Sequence, residues 1–249
     1  SWERLVINAA KKNLINVIAY NQSGLFRMQH AAIRMLDEQF NPNEILTSGI
    51  NSYEIFKDKN FQSIKITNIG SNRVINTNNF VKNKKFNFNI LVLTEGIKNE
   101  SLLLYSYINK LAQKNPNIKF YIRMHPEFNY QKLKKFISLK NKNNNIIFSN
   151  LEFEELLDTC FFVMHRGSTA VVQAVSNGLI PLYILRENEK IFSPISRILL
   201  KKNIIKHSDI LNILEKLNFF KNSSVSKNQL DYTNSYYTKF DKHIFNKYL

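Results

Sequence analysis

Phe161-Phe162-Val163-Met164-His165-Arg166-Gly167-Ser168-Thr169-Ala170 decides how this chain is read. A short apolar run, Phe161 to Met164, passes through Gly167 into a helical pattern that opens at Ser168. A buried strand followed by a glycine and a hydroxyl-rich helix start leaves backbone N–H groups unpaired, and the aligned peptide dipoles place partial positive charge there. A phosphate suits that chemistry. Gly167 lets it approach the main chain, Ser168 and Thr169 donate to its oxygens, and Arg166 supplies a fixed charge. An ordinary capped helix explains the same residues without a ligand. A second polar cluster favours the ligand: Arg123-Met124-His125-Pro126-Glu127 directly follows another strand pattern, Lys119 to Ile122.

Outward from these two clusters, apolar runs alternate with helix-period segments. The pattern predicts strand Asn89 to Leu93, helix Ser101 to Gln113, strand Ile118 to Ile122 and helix Tyr130 to Ile137. Strand Ile146 to Phe148, helix Phe153 to Leu157, strand Phe161 to Met164, helix Ser168 to Ser176 and strand Pro181 to Leu185 follow, with Gly178 ending the last helix. Such alternation implies an α/β fold with a parallel sheet covered by helices. Right-handed crossovers then bring the strand C-termini to one edge, where open sheets of this kind bind ligands. Glu95-Gly96, His125-Pro126 and Gly167-Ser168-Thr169 converge there.

The first part of the chain has a shorter alternation: a helix through Lys12, strand Leu14 to Ala19, a helix over Met28 to Leu36, strand Glu44 to Thr47, a helix near Tyr53 to Lys57, and strand Ser63 to Asn68. It opens inside a helical pattern and has few strands for a free-standing domain, so the expectation is that an upstream portion is missing. Arg73 to Lys85 turns polar and Asn-rich, the composition of a linker. Ser208 to Leu217 and the Tyr-rich Asp231 to Leu249 read as helices.

A chain of 249 residues with 44% hydrophobic content can bury a real core. Lys and Arg total 35 against 19 Asp and Glu, a net charge of +16, which points to an anionic partner: a nucleotide, a phospholipid surface or a nucleic acid. Much of the lysine comes with asparagine and isoleucine, as in Asn141-Lys142-Asn143-Asn144-Asn145. With no aromatic RNA-binding motif, zinc-finger spacing or basic heptad, no specific nucleic acid is expected as partner. Cys160, the only cysteine, lies in an apolar run and reads as a small core residue, which fits a reducing compartment. No apolar stretch approaches the roughly 20 residues a bilayer span needs, and Ser1-Trp2-Glu3-Arg4 does not read as a signal peptide.

With these motifs in hand, the chain resembles GT-B glycosyltransferases, and among them the bacterial surface-carbohydrate enzymes that use CMP-activated acidic sugars, the Kdo transferases and sialyltransferases. The likeness runs from Leu14 to Leu200 and lies in the order and spacing of motifs. Thr94-Glu95-Gly96, His125-Pro126 and Ser168-Thr169 resemble the acidic-acidic-Gly, His-Pro and Ser-Ser/Thr motifs of bacterial sialyltransferases. Thr94 stands where that family has its first acid. Tyr20-Asn21-Gln22-Ser23-Gly24 resembles an acceptor-domain strand end, with Gln22 where His is usual.

The resemblance implies two Rossmann-like domains with parallel sheets, the N-terminal one incomplete. Residues 1–72 would be the trailing part of the acceptor-side domain, 73–87 a linker, 88–215 the nucleotide-sugar domain, and 216–249 a helical tail packing back on the first domain. It also implies transfer of Kdo, sialic acid or a similar acidic sugar from a CMP donor to a bacterial surface glycan, in lipopolysaccharide or capsule. The partners would be the nucleotide-sugar donor, a glycan or glycolipid acceptor and the anionic cytoplasmic face of the inner membrane. Two rivals use the same residues: a CDP-glycerol or UDP-sugar enzyme, transferase or epimerase, and a non-catalytic module that binds a nucleotide or polyanion.

His125 and Glu95 are the expected catalytic pair. The imidazole would donate to the nucleotide phosphate, and the carboxylate would serve as general base or nucleophile. Gly96, Arg123, Pro126, Arg166, Gly167, Ser168 and Thr169 are the expected donor-binding set. With no Asp-x-Asp motif, neither a metal nor another cofactor is expected, and histidine, arginine and backbone dipoles carry the leaving-group charge. Glu187 and Glu189 follow the last strand, where many GT-B enzymes hold the donor's ribose.

Overall fold

The computed structural model describes residues 2–22, 33–34, 36–59, 64–73, 86–137, 143–195, 197–206 and 213–248. The expected helix over Met28 to Leu36 falls largely outside these residues, as do most of Arg73 to Lys85 and the start of the segment at Ser208. The chain divides into two compact units, Ser1–Asn76 with Asp231–Leu249, and Thr77–Leu230.

The first unit opens with helix α1 (Trp2–Lys12), followed by strand β1 (Ile18–Asn21), strand β2 (Glu44–Thr47), helix α2 (Ile50–Asp58) and strand β3 (Lys65–Asn68). The strands form a parallel sheet in the order β1-β2-β3. Ile33, Ile45, Phe56 and Ile64 make its core, with Ala19, Ile55 and Ile66 against it. The strand expected from Leu14 begins only at Ile18. Leu14 is left-handed, at φ 58, and Ile15 N–H donates to the Ala10 carbonyl at 3.0 Å, so these residues close the helix instead of opening the strand.

The tail crosses the C-terminal ends of β2 and β3. Thr238 N–H donates to Ser48 O at 3.0 Å, Ser71 N–H to Thr238 O at 2.8 Å, and Asp241 N–H to Ile69 O at 2.8 Å. Gly70 sits at φ 80 under this strap, and a Cβ there would run into the Lys239 carbonyl. Asp241 caps helix α10 (Lys242–Phe245) by accepting from the His243 and Ile244 N–H groups, and Tyr248 Oη donates to Glu44 Oε1 at 2.6 Å. Helix α9 (Lys227–Asn234) leads the chain into this tail.

The second unit holds strands β4 (Asn89–Leu93), β5 (Lys119–Arg123), β6 (Ile146–Phe148), β7 (Phe162–His165), β8 (Ile180–Leu185) and β9 (Ile204–Lys206). Helices α3 (Lys98–Lys114), α4 (Tyr130–Lys134), α5 (Phe153–Thr159), α6 (Ala170–Ser176), α7 (Arg197–Leu200) and α8 (Ile213–Phe219) accompany them. The strands are parallel in the order β6-β5-β4-β7-β8-β9. Counted within the unit this is 3-2-1-4-5-6, the doubly wound order of Rossmann-type sheets. The chain therefore winds away from β4 in both directions, and the crevice between the C-terminal ends of β4 and β7 is the topological switch point.

That edge stands on an apolar core. Ile90, Leu91 and Val92 of β4 are fully buried, as are Phe120, Phe162, Val163 and Met164 of its neighbours. Helix α3 presents Leu104, Ile108 and Leu111 at helical spacing, each fully buried. Each such side chain is worth about 1.5–3 kcal/mol of transfer free energy. Cys160 is buried among these apolar groups. Among the described residues no helix is long and apolar enough to cross a membrane.

Candidate functional site

Three loops meet at the switch point, and each owes its shape to the strand it follows. After β4, Thr94 is buried, and its Oγ1 accepts the His125 N–H at 2.8 Å. The same hydroxyl lies 3.3 Å from the Arg123 carbonyl, to which it donates. Thr94 thus ties the ends of β4 and β5 together and sets the backbone of His125. The residue standing in place of the sialyltransferase acid is a positioning group here, with no acid to offer.

His125 is partly exposed, while Pro126 and Glu127 lie exposed in the turn that returns to Phe128. The imidazole Nδ1 accepts from the Glu127 N–H at 3.2 Å. In the neutral ring the proton then sits on Nε2, which makes that nitrogen the donor. Gly96 lies against the ring, and a Cβ on it would come within 3.0 Å of His125 Cε1 and Nδ1. Gly96 therefore acts by leaving room for His125.

The loop after β7 differs from expectation at several residues. Arg166 offers no free charge to a phosphate. Its side chain is 5% exposed, with Nε on Glu100 at 2.5 Å and one Nη on Glu189 at 2.6 Å. The other Nη donates to the Ile184 carbonyl at 2.8 Å. Burial alone would lower the pKa of this guanidinium, but hydrogen bonds and charge from Glu189 and Glu100 outweigh it and the net shift is upward. Arg186 adds a 3.1 Å contact to Glu100, so the network stitches α3, β7 and the loop after β8 into one frame. Glu189, placed by the resemblance at the ribose, is instead a partner of Arg166. Burial would raise its pKa, yet Arg166 holds the net shift downward.

His165 points into the protein. Its ring is fully buried, neither nitrogen has a hydrogen-bond partner among the described residues, and it stands edge-on to Tyr183 at 5.5 Å. Burial pulls its pKa down to about 3. Ser168 and Thr169 form the turn leading into α6, which starts at Ala170 rather than at Ser168. Thr169 is helical, at φ −68 and ψ −19, and its side chain makes no capping hydrogen bond. Both residues are partly exposed.

Glu95 and Gly167 meet across the switch point. The Gly167 N–H donates to Glu95 Oε1 at 2.5 Å, and Ser101 Oγ holds the Glu95 carbonyl at 2.6 Å. Burial raises the Glu95 pKa, opposed by the Gly167 hydrogen bond and by the charges of His125 and Arg166. A partly buried carboxylate with an elevated pKa beside a histidine is a recognised acid–base arrangement.

Arg123 lies elsewhere on the edge. Its guanidinium sits 4.8 Å over the Phe153 ring and lines an open cleft of about 800 Å³ at the ends of β5 and β6. Tyr130, Phe148, Asn150 and Glu152 line the same cleft, and the Tyr130 and Phe148 rings stand 4.5 Å apart. Since β4 lies between β5 and β7, the ends of those two strands are roughly 10 Å apart at the usual strand spacing. The structure thus gathers Glu95, Gly96, His125 and Gly167 along one edge. Arg166 and His165 lie behind it, and Arg123 lies in the neighbouring cleft.

In the first unit, Tyr20 Oη donates to the Gly70 carbonyl at 2.9 Å. Gln22 is exposed, and Asn21 Oδ1 is buried without a hydrogen-bond partner among the described residues. Ser23 and Gly24 lie outside the described residues.

No protein-family model matches the sequence. No curated protein matches it either. Solved structures do share its fold. The UDP-GlcNAc 2-epimerase from Neisseria meningitidis bound to UDP-GlcNAc superposes with a TM-score of 0.60 at 15% identity, over 98% of this chain and 72% of that one. The pneumococcal O-GlcNAc transferase GtfA, in complex with UDP and GlcNAc, gives a TM-score of 0.53 at 11% identity. That match takes in 98% of this chain and 53% of the transferase. The fold is GT-B-like, an α/β architecture with parallel sheets.

Proposed function

We propose that this chain is a GT-B enzyme that binds a UDP-sugar at the strand edge of its second unit. The observation carrying the proposal is the convergence of Glu95, His125 and Gly167 at the switch point of a 3-2-1-4-5-6 sheet, beside an aromatic-walled cleft. His125 presents Nε2–H to a phosphate oxygen, where negative charge builds as the bond between sugar and phosphate breaks. The Gly167 N–H and the Ser168 and Thr169 hydroxyls hold the same diphosphate. The cleft walled by Tyr130 and Phe148, one strand further along, takes the flat base. Glu95 supplies the acid–base group.

Transfer and epimerisation both begin at the anomeric bond, and both suit this site. UDP is favoured over CMP because structures with the same fold hold UDP or UDP-GlcNAc. The CMP-linked acidic sugar of the motif resemblance is the second reading and uses the same edge with one phosphate fewer. Metal-free chemistry belongs to the proposal in either form, and for a transferase so do an acceptor glycan and a membrane face.

A thermal-shift titration against UDP, CDP, UMP and CMP separates these readings, because a ligand that binds only the folded state raises the melting temperature. UDP should stabilise the protein most, and His125→Ala and Ser168→Ala should reduce the effect. Stabilisation by CMP alone would restore the acidic-sugar reading, and no response to any nucleotide would contradict both.

A further inference from the structure

We infer that Glu95 is a resident anion at the phosphate position, which an incoming nucleotide must displace from the Gly167 N–H. This inference rests on the nucleotide reading of the site and adds a step to it. The carboxylate occupies the amide at 2.5 Å. Both its oxygens crowd Gly167, where a Cβ would lie 3.3 Å from Oε1 and 3.6 Å from Oε2. The seat is therefore filled by a group with the charge and acceptor geometry of a phosphate oxygen. One amide proton pointing at one acceptor cannot serve a second at full strength.

The surroundings make the competition real. Two of the arginines at this edge, Arg166 and Arg186, are already engaged by Glu100 and Glu189, and the third, Arg123, lies in the neighbouring cleft over Phe153. A phosphate entering beside Glu95 meets carboxylates whose counter-charges are spoken for, so Glu95 must leave the amide before the phosphate settles. Displacement has a consequence for the chemistry. It turns the carboxylate from a backbone ligand into a free acid–base group only when the donor is in place. The empty site keeps its base idle, and nucleotide binding releases it. Glu95 thereby sets both the affinity of the site and the moment at which it becomes reactive.

Calorimetric titration of UDP and, separately, inorganic pyrophosphate into the wild-type chain, Glu95→Gln and Glu127→Gln tests this. Glu127 is an exposed carboxylate next to His125, so its variant matches the loss of charge while the Glu95 carboxylate keeps its charge-assisted hold on the Gly167 amide. Glu95→Gln should bind both ligands about tenfold more tightly, the scale of one hydrogen bond to a charged group. Glu127→Gln should stay within about twofold of wild type on a screened surface site. Equal gains in both variants, or no gain in Glu95→Gln, would overturn the inference. A gain for pyrophosphate with no binding of UDP would uphold the displaced carboxylate and overturn the nucleotide reading. The Gly167 amide resonance gives a readout independent of affinity: it should move strongly between wild type and Glu95→Gln, and pyrophosphate should shift it in both. A Gly167 signal insensitive to pyrophosphate would also overturn the inference.

Discussion

The His125 N–H, just past the end of its strand, donates to the buried hydroxyl of Thr94 at 2.8 Å, while Thr94 Oγ1 faces the Arg123 carbonyl at 3.3 Å. Valine at position 94 keeps the shape and strands the amide, at a cost of about 1–3 kcal/mol. Thr94→Val should lower the melting temperature and weaken UDP binding, whereas Thr94→Ser should retain both. Equal UDP affinity in Thr94→Val and wild type would show that the backbone of His125 does not need this tie.

Arg166 should behave as a structural residue. Replacing it with methionine leaves Glu100 and Glu189 without their main partner, and breaking a buried ion pair from one side costs on the order of 3 kcal/mol. Denaturant unfolding should show this loss, and adding Glu189→Gln should recover part of it. A variant as stable as wild type that had lost nucleotide binding would return Arg166 to the phosphate.

His165 should set part of the acid limb of stability. Its folded-state pKa lies near 3 because burial disfavours the imidazolium, against about 6.5 when unfolded. Between those values the unfolded chain holds a proton that the folded chain refuses. Stability therefore rises with pH across that window, by about 1.4 kcal/mol per pH unit at most. His165→Phe should flatten the fall in melting temperature from pH 6.5 to pH 4.5. An unchanged slope would mean the ring takes its proton without cost.

Gly70 should resist substitution. At φ 80 an L side chain costs about 1–2 kcal/mol before any clash is counted, and its Cβ would meet the Lys239 carbonyl of the strap. Gly70→Ala should loosen the tail, read as faster cleavage after Asp231 in limited proteolysis. Cleavage at the wild-type rate would place the strap's hold elsewhere.

Much of this architecture was legible where local pattern and tertiary packing agree. The expected bounds of β4 and β6 coincide with the observed ones because each carries an unbroken apolar run, and those of β2 coincide although only Ile45 and Leu46 stand between Glu44 and Thr47. β1 moved because Leu14 takes a left-handed backbone that nothing in its side chain announces. β9 went unread because its apolar content is two isoleucines set among lysines. At the site, the loops after the strands were found from their glycine, histidine and proline chemistry. The fate of Arg166 was hidden, since its partners lie 66 and 23 residues away in the chain and their charges pair only after folding. Thr94 was visible only as a departure from a motif. Its use appears once β4 and β5 stand side by side.

The most direct test is the structure of the chain with UDP bound. The diphosphate should lie within hydrogen-bond reach of His125 Nε2 and the Gly167 N–H, with the uracil in the cleft lined by Tyr130 and Phe148 and Glu95 turned away from Gly167. UDP bound away from the β4–β7 crevice, or with His125 making no contact to it, would contradict the assignment of this edge as the nucleotide-sugar site.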